Sequence, residues 1–288
     1  MRITLSVLVS LISFTAYSQS GRIYQDVFSS FFTNMALVNP SYVPQDGNVE
    51  LMSYYKFRQG LLSDVSTFMA SGHKVWRKEN APDHLARLIF FNEKEGPFIS
   101  SSRAYGNYAV KEHLSSEVDI SGGASLGLAG INFSTPSAAG SLTVLDGNIG
   151  LGFNYRKISA GMAAIQAFNA QGTVTSGKVR FERFYNMHFS AEKTVSENLD
   201  LKSYFLWRSL PSLPDQYIGA LTFFYGGFLE AGALYFRPRG VSYLGTIILN
   251  QENNPLSILM TYNTSFLGSN PLWGNSFEIG LKYNINKQ

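Results

Sequence analysis

The sequence predicts an all-β fold, a transmembrane antiparallel β-barrel of about 14 strands, with an N-terminal segment as a possible lumen plug. Three observations predict it. Apolar and polar residues alternate with period two through runs of roughly 10 to 12 residues, the length a tilted strand needs to cross hydrocarbon and about twice the soluble average. Charged residues make up only 15% of the chain, against roughly 25% in soluble domains, while aromatics reach 14% and glycines number 26. Beyond the first residues there is no second long apolar run, so helical spans are excluded and strands must hide the lipid-facing residues in alternate positions. A soluble sandwich with aromatic core pairs is the competing architecture, but it could not hold the isolated charges Arg156, Lys202 and Lys282 on its inner faces without partners.

The chain opens MRITLSVLVSLISFTAYSQS. Arg2 supplies a positive start, Ile3 to Phe14 an apolar run, and Ala16-Tyr17-Ser18 a small-x-small site, so residues 1–18 are expected to be a secretory signal cleaved after Ser18. The exported chain has no cysteine, which argues against a small disulfide-stapled module. Removing Arg2 with the signal leaves 22 of the 23 basic residues against 20 acidic ones, too weak a balance for nucleic-acid binding.

Residues 19–48 form an N-terminal segment, and residues 49–288 the barrel. The segment contains SSFFTNMALVNPSYV (29–43), apolar enough to be buried, yet Asn39-Pro40 stops a helix or a central strand. Two placements follow. Phe28, Phe31, Phe32 and Met35 pack in the lumen as a partial plug, or Asn39-Pro40 and the following PQDGN turn the chain into the wall at the periplasmic rim.

The expected strands are 49–58, 61–72, 85–92, 100–111, 117–133, 146–156, 158–168, 181–195, 198–209, 216–225, 227–237, 241–250, 255–264 and 275–286. In SFEIGLKYNI, Phe277, Ile279, Leu281, Tyr283 and Ile285 take one face; Ile149, Leu151, Phe153 and Tyr155 do the same in NIGLGFNYRK. GGASLGLAG (122–130) reads as strand glycine where backbones approach closely. With both barrel termini on one side, Arg156-Lys157, Ser196-Glu197-Asn198 and Gly226-Gly227 are tight turns there, and 134–146, 169–180 and 265–275 are longer outer loops. Two connections break this rule, a short 59–60 and a long 73–84.

No catalytic constellation emerges. His73 and His84 fall in one expected turn region, His113 in another and His188 inside a strand, with no serine singled out beside any of them. No HExxH, CxxC or EF-hand pattern supports a metal, and no glycine-rich turn precedes a helix, so no cofactor is expected. In HKVWRKEN (73–80), Lys74, Trp76, Arg77 and Lys78 form either an interfacial loop with snorkelling cations or a docking loop for a periplasmic partner.

Several stretches together resemble the PorP/SprF family of outer-membrane proteins, associated with type IX secretion and gliding in Bacteroidetes. They are NMALVNPSYV after the signal, DGNIGLGFNYRKISAGMAAIQAFN (146–169), and the closing ILMTYNTSFLGSNPLWGNSFEIGLKYNI (258–285). Phe277 stands where a His often precedes the Glu, and MTYNTS replaces the usual aromatic-Asp ending, departures that bear on the partner and not on the fold. The resemblance implies a non-enzymatic, multi-pass barrel in the Gram-negative outer membrane, in contact with its lipid. It implies as partners a secreted adhesin-like substrate or its C-terminal domain, and periplasmic components of the secretion apparatus. A passive porin or hydrophobic-solute channel is the alternative function.

Overall fold

A computed structural model describes residues 21–45, 47–79, 81–135, 138–174, 177–237, 239–250, 254–264 and 275–285. The expected signal, 1–18, and most of the expected loop 265–275 lie outside the described residues. The chain begins with β1 (Gly21–Ile23) and a kinked 3-10 helical stretch, Phe31–Leu37. The wall then runs β2 (Val49–Arg58), β3 (Val65–Trp76), β4 (Asp83–Glu95), β5 (Ile99–His113), β6 (Val118–Thr135), β7 (Ala138–Tyr155) and β8 (Ile158–Ile165). After β9 (Gln171–Val174) and β10 (Gly177–Phe181) it resumes with β11 (Phe184–Ser196), β12 (Leu199–Ser209), β13 (Gln216–Tyr225), β14 (Leu229–Arg237), β15 (Gly240–Leu249), β16 (Leu256–Asn263) and β17 (Ser276–Ile285).

Strands β2 to β8 and β11 to β17 close into one antiparallel ring of 14, and β17 returns to pair with β2 (Ile285 opposite Val49, Ser276 opposite Arg58). Closure leaves the wall no open edge, which is the condition for strands in hydrocarbon. Alternation sorts the side chains: Leu88 and Leu151 point outward, 72% and 62% exposed, while Arg87 and Asn107 point inward and are buried. Val49 and Ile285 mark one mouth, the terminal end; the other is the loop end.

Several expectations shift in detail. The second expected strand, 61–72, lies at Val65–Trp76, because Gly60 takes φ +73° and starts a short 3-10 turn, Gly60–Leu62. Both irregular connections disappear as a result, leaving 59–64 and 77–82, and His73 and His84 move from a turn into strands. Most of the expected loop 134–146 is strand, since β6 and β7 pair from Val118–Tyr155 up to Thr135–Ala138. The expected loop 169–180 carries β9 and β10, which join β1 in a small sheet of order β1-β10-β9. The tight turns at 156–157, 197–198 and 226–228 stand at the terminal end as expected.

Candidate functional site

Residues 24–43 are buried almost throughout, and their contacts fall on inward-facing side chains of strands round the ring. The segment starts at the loop end, where β1 pairs in parallel with β10, the Tyr24 hydroxyl donates to Glu182, and Arg239 between β14 and β15 reaches Asp26 at 2.7 Å. It finishes at the terminal end, where Arg77 donates to the carbonyls of Pro44 (2.7 Å) and Gly47, and the Asn48 carbonyl accepts from Val75 N–H at 2.7 Å. The chain therefore runs from one mouth to the other before it enters the wall at Val49.

Sequence dictates how the middle sits. Asn34, with φ −137° and ψ 74°, breaks the 3-10 stretch, so its apolar residues point to opposite arcs. Phe31, Phe32, Met35 and Val38 pack on Leu206, Ile218, Leu234, Phe236 and Leu244 of β12 to β15. Phe28, Ala36 and Leu37 pack on Met52, Tyr54, Met69, Ile89 and Phe91 of β2 to β4. Phe32 stacks on Tyr204 with ring centres 4.3 Å apart. Each large apolar side chain so buried contributes about 1.5–3 kcal/mol.

A charged cluster fixes the loop-end half. Asp26 accepts from Lys56 at 3.0 Å as well as from Arg239, and its backbone N–H donates to Glu93, 2.8 Å away. Glu278 of β17, fully buried, accepts from the backbone N–H of Ser29 (2.9 Å) and from the Ser30 hydroxyl (3.2 Å), and lies 3.6 Å from Lys56. It thereby satisfies amides at the start of the 3-10 stretch that have no partner within it. Arg208 donates to the Gln25 carbonyl at 2.6 Å. Burial alone would raise the Asp26 carboxyl, but the charges of Arg239, Lys56 and Arg58 outweigh it and hold it well below the ordinary carboxylate range. Asp26 is thus an anion held by cations from the wall.

Asn39-Pro40-Ser41 is held by a hollow in β6, β7 and β8. Asn39 Nδ2 donates to the Leu151 carbonyl (2.9 Å) and lies 3.0 Å from His188 Nε2; its Oδ1 accepts from Ser41 N–H and hydroxyl, at 3.0 and 2.8 Å. Asn107 donates to the Pro40 carbonyl at 3.0 Å, and Asn186 to that of Val38 at 2.9 Å. The hollow exists because four wall positions are glycine. A Cβ on Gly123 would stand 2.3 Å from the Pro40 carbonyl oxygen, one on Gly150 2.0 Å from Asn39 Oδ1, and one on Gly161 2.5 Å from Asn39 Nδ2. Gly152 brings Ser41 Oγ within 3.2 Å of the same kind of position. This is the close backbone approach that the strand glycines imply.

The structure thus brings Phe28, Phe31, Phe32, Met35, Asn39 and Pro40 together in one buried segment. The other candidate group separates. Lys74 and Trp76 end β3 on its outer face, with the Lys74 ammonium 5.2 Å from the Trp76 ring centre, whereas Arg77 is engaged with Pro44, Gly47 and Asn48. Sequence reasoning missed Asp26, Lys56, Glu93 and Glu278 as partners of the segment. Among the described residues no group of three or more His, Asp or Glu could hold a metal ion.

A closed wall of 14 antiparallel strands with an apolar exterior and a polar, charge-bearing interior defines an outer-membrane β-barrel. The family model described as type IX secretion system membrane protein PorP/SprF matches residues 20–283, and the chain belongs to that family. No curated protein matches it. Among solved structures it is similar to the Ralstonia pickettii toluene transporter TbuX (10% identity, TM-score 0.60, covering 93% of this chain and 95% of that one). It is also similar to the Pseudomonas putida toluene transporter TodX (10%, TM-score 0.57, 94% and 96%) and to a Pseudomonas aeruginosa FadL homologue (9%, TM-score 0.55, 86% and 93%). Likeness at this identity shows the shared barrel fold, and the family and these neighbours are secretion components and channels.

Proposed function

We propose that this protein is a non-enzymatic accessory barrel of the type IX secretion and gliding machinery, closed by its own N-terminal segment. In this reading the barrel supports secretion or surface anchoring of one cognate adhesin-like substrate and docks to the periplasmic apparatus. The observation that carries the closed-barrel part is the segment's course from mouth to mouth, with ionic, apolar and glycine-hollow contacts to the wall. The family match over residues 20–283 carries the secretion part. Short turns at the terminal end and the longest excursions at the loop end orient the terminal end to the periplasm. Its rim, where Arg77 and Lys78 lie, is the docking side.

Deleting the gene is expected to abolish surface display of one adhesin-like partner while general export continues. Surface proteomics of intact cells tests this, and unchanged display of every secreted protein would refute it. The alternative, a passive porin or hydrophobic-solute channel, predicts that the full-length protein conducts in planar bilayers or takes up an apolar solute.

A further inference from the structure

The outer face of the wall is ridged over the arc from β2 to β7. One row of cross-strand partners reads Leu51, Gly72, Leu88, Gly106, Leu126, Gly147, alternating large and small across β2 to β7. The next row toward the loop end keeps the phase from β3 to β6, with Ala70 and Ala104 flanking Phe90, while β2 contributes Ser53 and β7 Leu145. Small outward residues therefore stack along β3 and along β5, and Leu88 and Phe90 form a ridge between them. The result is two adjoining concavities on the lipid-facing surface, one of about 990 Å³ along the first row and reaching Lys74, the other of about 560 Å³ where Ala70, Phe90 and Ala104 join it.

The larger concavity has a polar end. One row nearer the terminal end the phase reverses, so that Tyr108 replaces a small residue on β5 and closes that furrow, while the β3 furrow leads to Lys74. Lys74 is exposed, lines the concavity, and has no carboxylate within ion-pair distance among the described residues. Trp76 lies beside it, and the His84 ring nitrogen Nδ1 lies 2.7 Å from the Tyr108 hydroxyl.

We propose that this furrow is a binding site for one phospholipid of the periplasmic leaflet, with an acyl chain along Ala70 and Gly72 and the headgroup phosphate at Lys74. The leaflet assignment rests on the orientation given above; the site does not. Two physical points select a lipid over a protein helix. Ridge strands on either side of a furrow are two inter-strand spacings apart, about 9–10 Å, whereas a helix with its side chains measures about 10–12 Å. A cation beside an interfacial Trp at the end of an apolar groove also matches the division of a phospholipid into chain and phosphate.

The test uses the full-length protein in detergent, delipidated and offered equal phosphatidylglycerol and phosphatidylcholine, with bound lipid counted by native mass spectrometry. One retained lipid is expected, with phosphatidylglycerol favoured about fivefold, the equivalent of the ~1 kcal/mol that one cation near the surface contributes. Lys74→Gln should equalise the two lipids. Gly72→Leu with Gly106→Leu should cut retention at least tenfold. That pair is expected to fold, because a Cβ on Gly106 has no atom nearer than 3.9 Å, and one on Gly72 meets the flexible end of Leu51 at 3.0 Å and the Glu50 carbonyl only at an ordinary 3.8 Å. Heat-modifiable migration on gels checks the fold. Undiminished retention in the filled variant, or an unchanged preference in Lys74→Gln, overturns the proposal. So does a change of oligomeric state in the filled variant, which would make the furrow an interface between copies.

Discussion

Deletion of residues 22–40 is expected to turn a silent barrel into a conducting one. Barrels of about 8 strands are filled by wall side chains alone, and those of 16–18 leave an aqueous channel. A ring of 14 lies between, so its lumen needs additional chain to fill it. Removing the segment takes away Phe28, Phe31, Phe32 and Met35 and uncovers Asn107, Asn186, Arg208 and Glu278, a lining that water wets. The wall should survive, because its ladder closes on itself from β2 to β17 and Glu278 keeps Lys56 3.6 Å away as a counter-charge. Planar-bilayer recording should show stable conductance steps for the deletion and few for the full chain. Equal conductance from both would place the segment at the rim.

Replacing Gly123 by Ala is expected to dislodge the Asn39–Ser41 corner without touching the strand order. The added methyl would meet backbone, 2.3 Å from the Pro40 carbonyl oxygen and 2.7 Å from the Ser41 Cα, and backbone cannot swing aside as a side chain can. Gly150→Ala adds a clash with Asn39 Oδ1 and stands 2.9 Å from Pro40 Cδ. Elsewhere in a strand Gly→Ala is expected to be neutral or to stabilise by about 0.4–1 kcal/mol. Here overpacking should cost about 1–3 kcal/mol, enough to release the corner while the barrel stays closed. Gly245→Ala is the internal control, since nothing lies within 4 Å of its Cβ position. Limited proteolysis should cut the two hollow variants within residues 24–45 and leave the control intact; equal resistance in all three would contradict the account.

What the sequence makes legible follows from the range of the interactions. The wall is written in local period-two alternation, so the strand count, the start at Val49 and the turns at 156–157, 197–198 and 226–228 are readable. The phase of β3 is not, because Gly60's positive φ adds a turn that alternation alone does not signal. The upper halves of β6 and β7 resemble a loop because Pro136 and a run of Ser, Ala and Gly carry little strand signal, yet cross-strand pairing makes them the longest strands of the wall. The segment's aromatics are conspicuous, and both a lumen and a rim placement fit them. Its partners are hidden: Ser29 and Glu278 are 249 residues apart, and Asn39 and His188 are 149 apart. Glu278 looks like an ordinary polar-face residue of the last strand until Ser29 and Ser30 arrive beside it. Gly123 lies in a stretch legible as a close backbone approach, but the four glycines come from three strands, so no local pattern joins them into one hollow.

Occupation of the lumen by the N-terminal segment of the folded barrel is open to direct measurement, because the chain has no native cysteine. Asn34 Nδ2 lies 3.4 Å from Ser71 Oγ, an inward residue of β3, while the neighbouring Ala70 faces the lipid. Asn34→Cys paired with Ser71→Cys, oxidised in the outer membrane of intact cells, should yield a cross-linked species of altered gel mobility. Asn34→Cys with Ala70→Cys should yield none. Cross-linking of the second pair, or failure of the first in a folded barrel, would contradict the account.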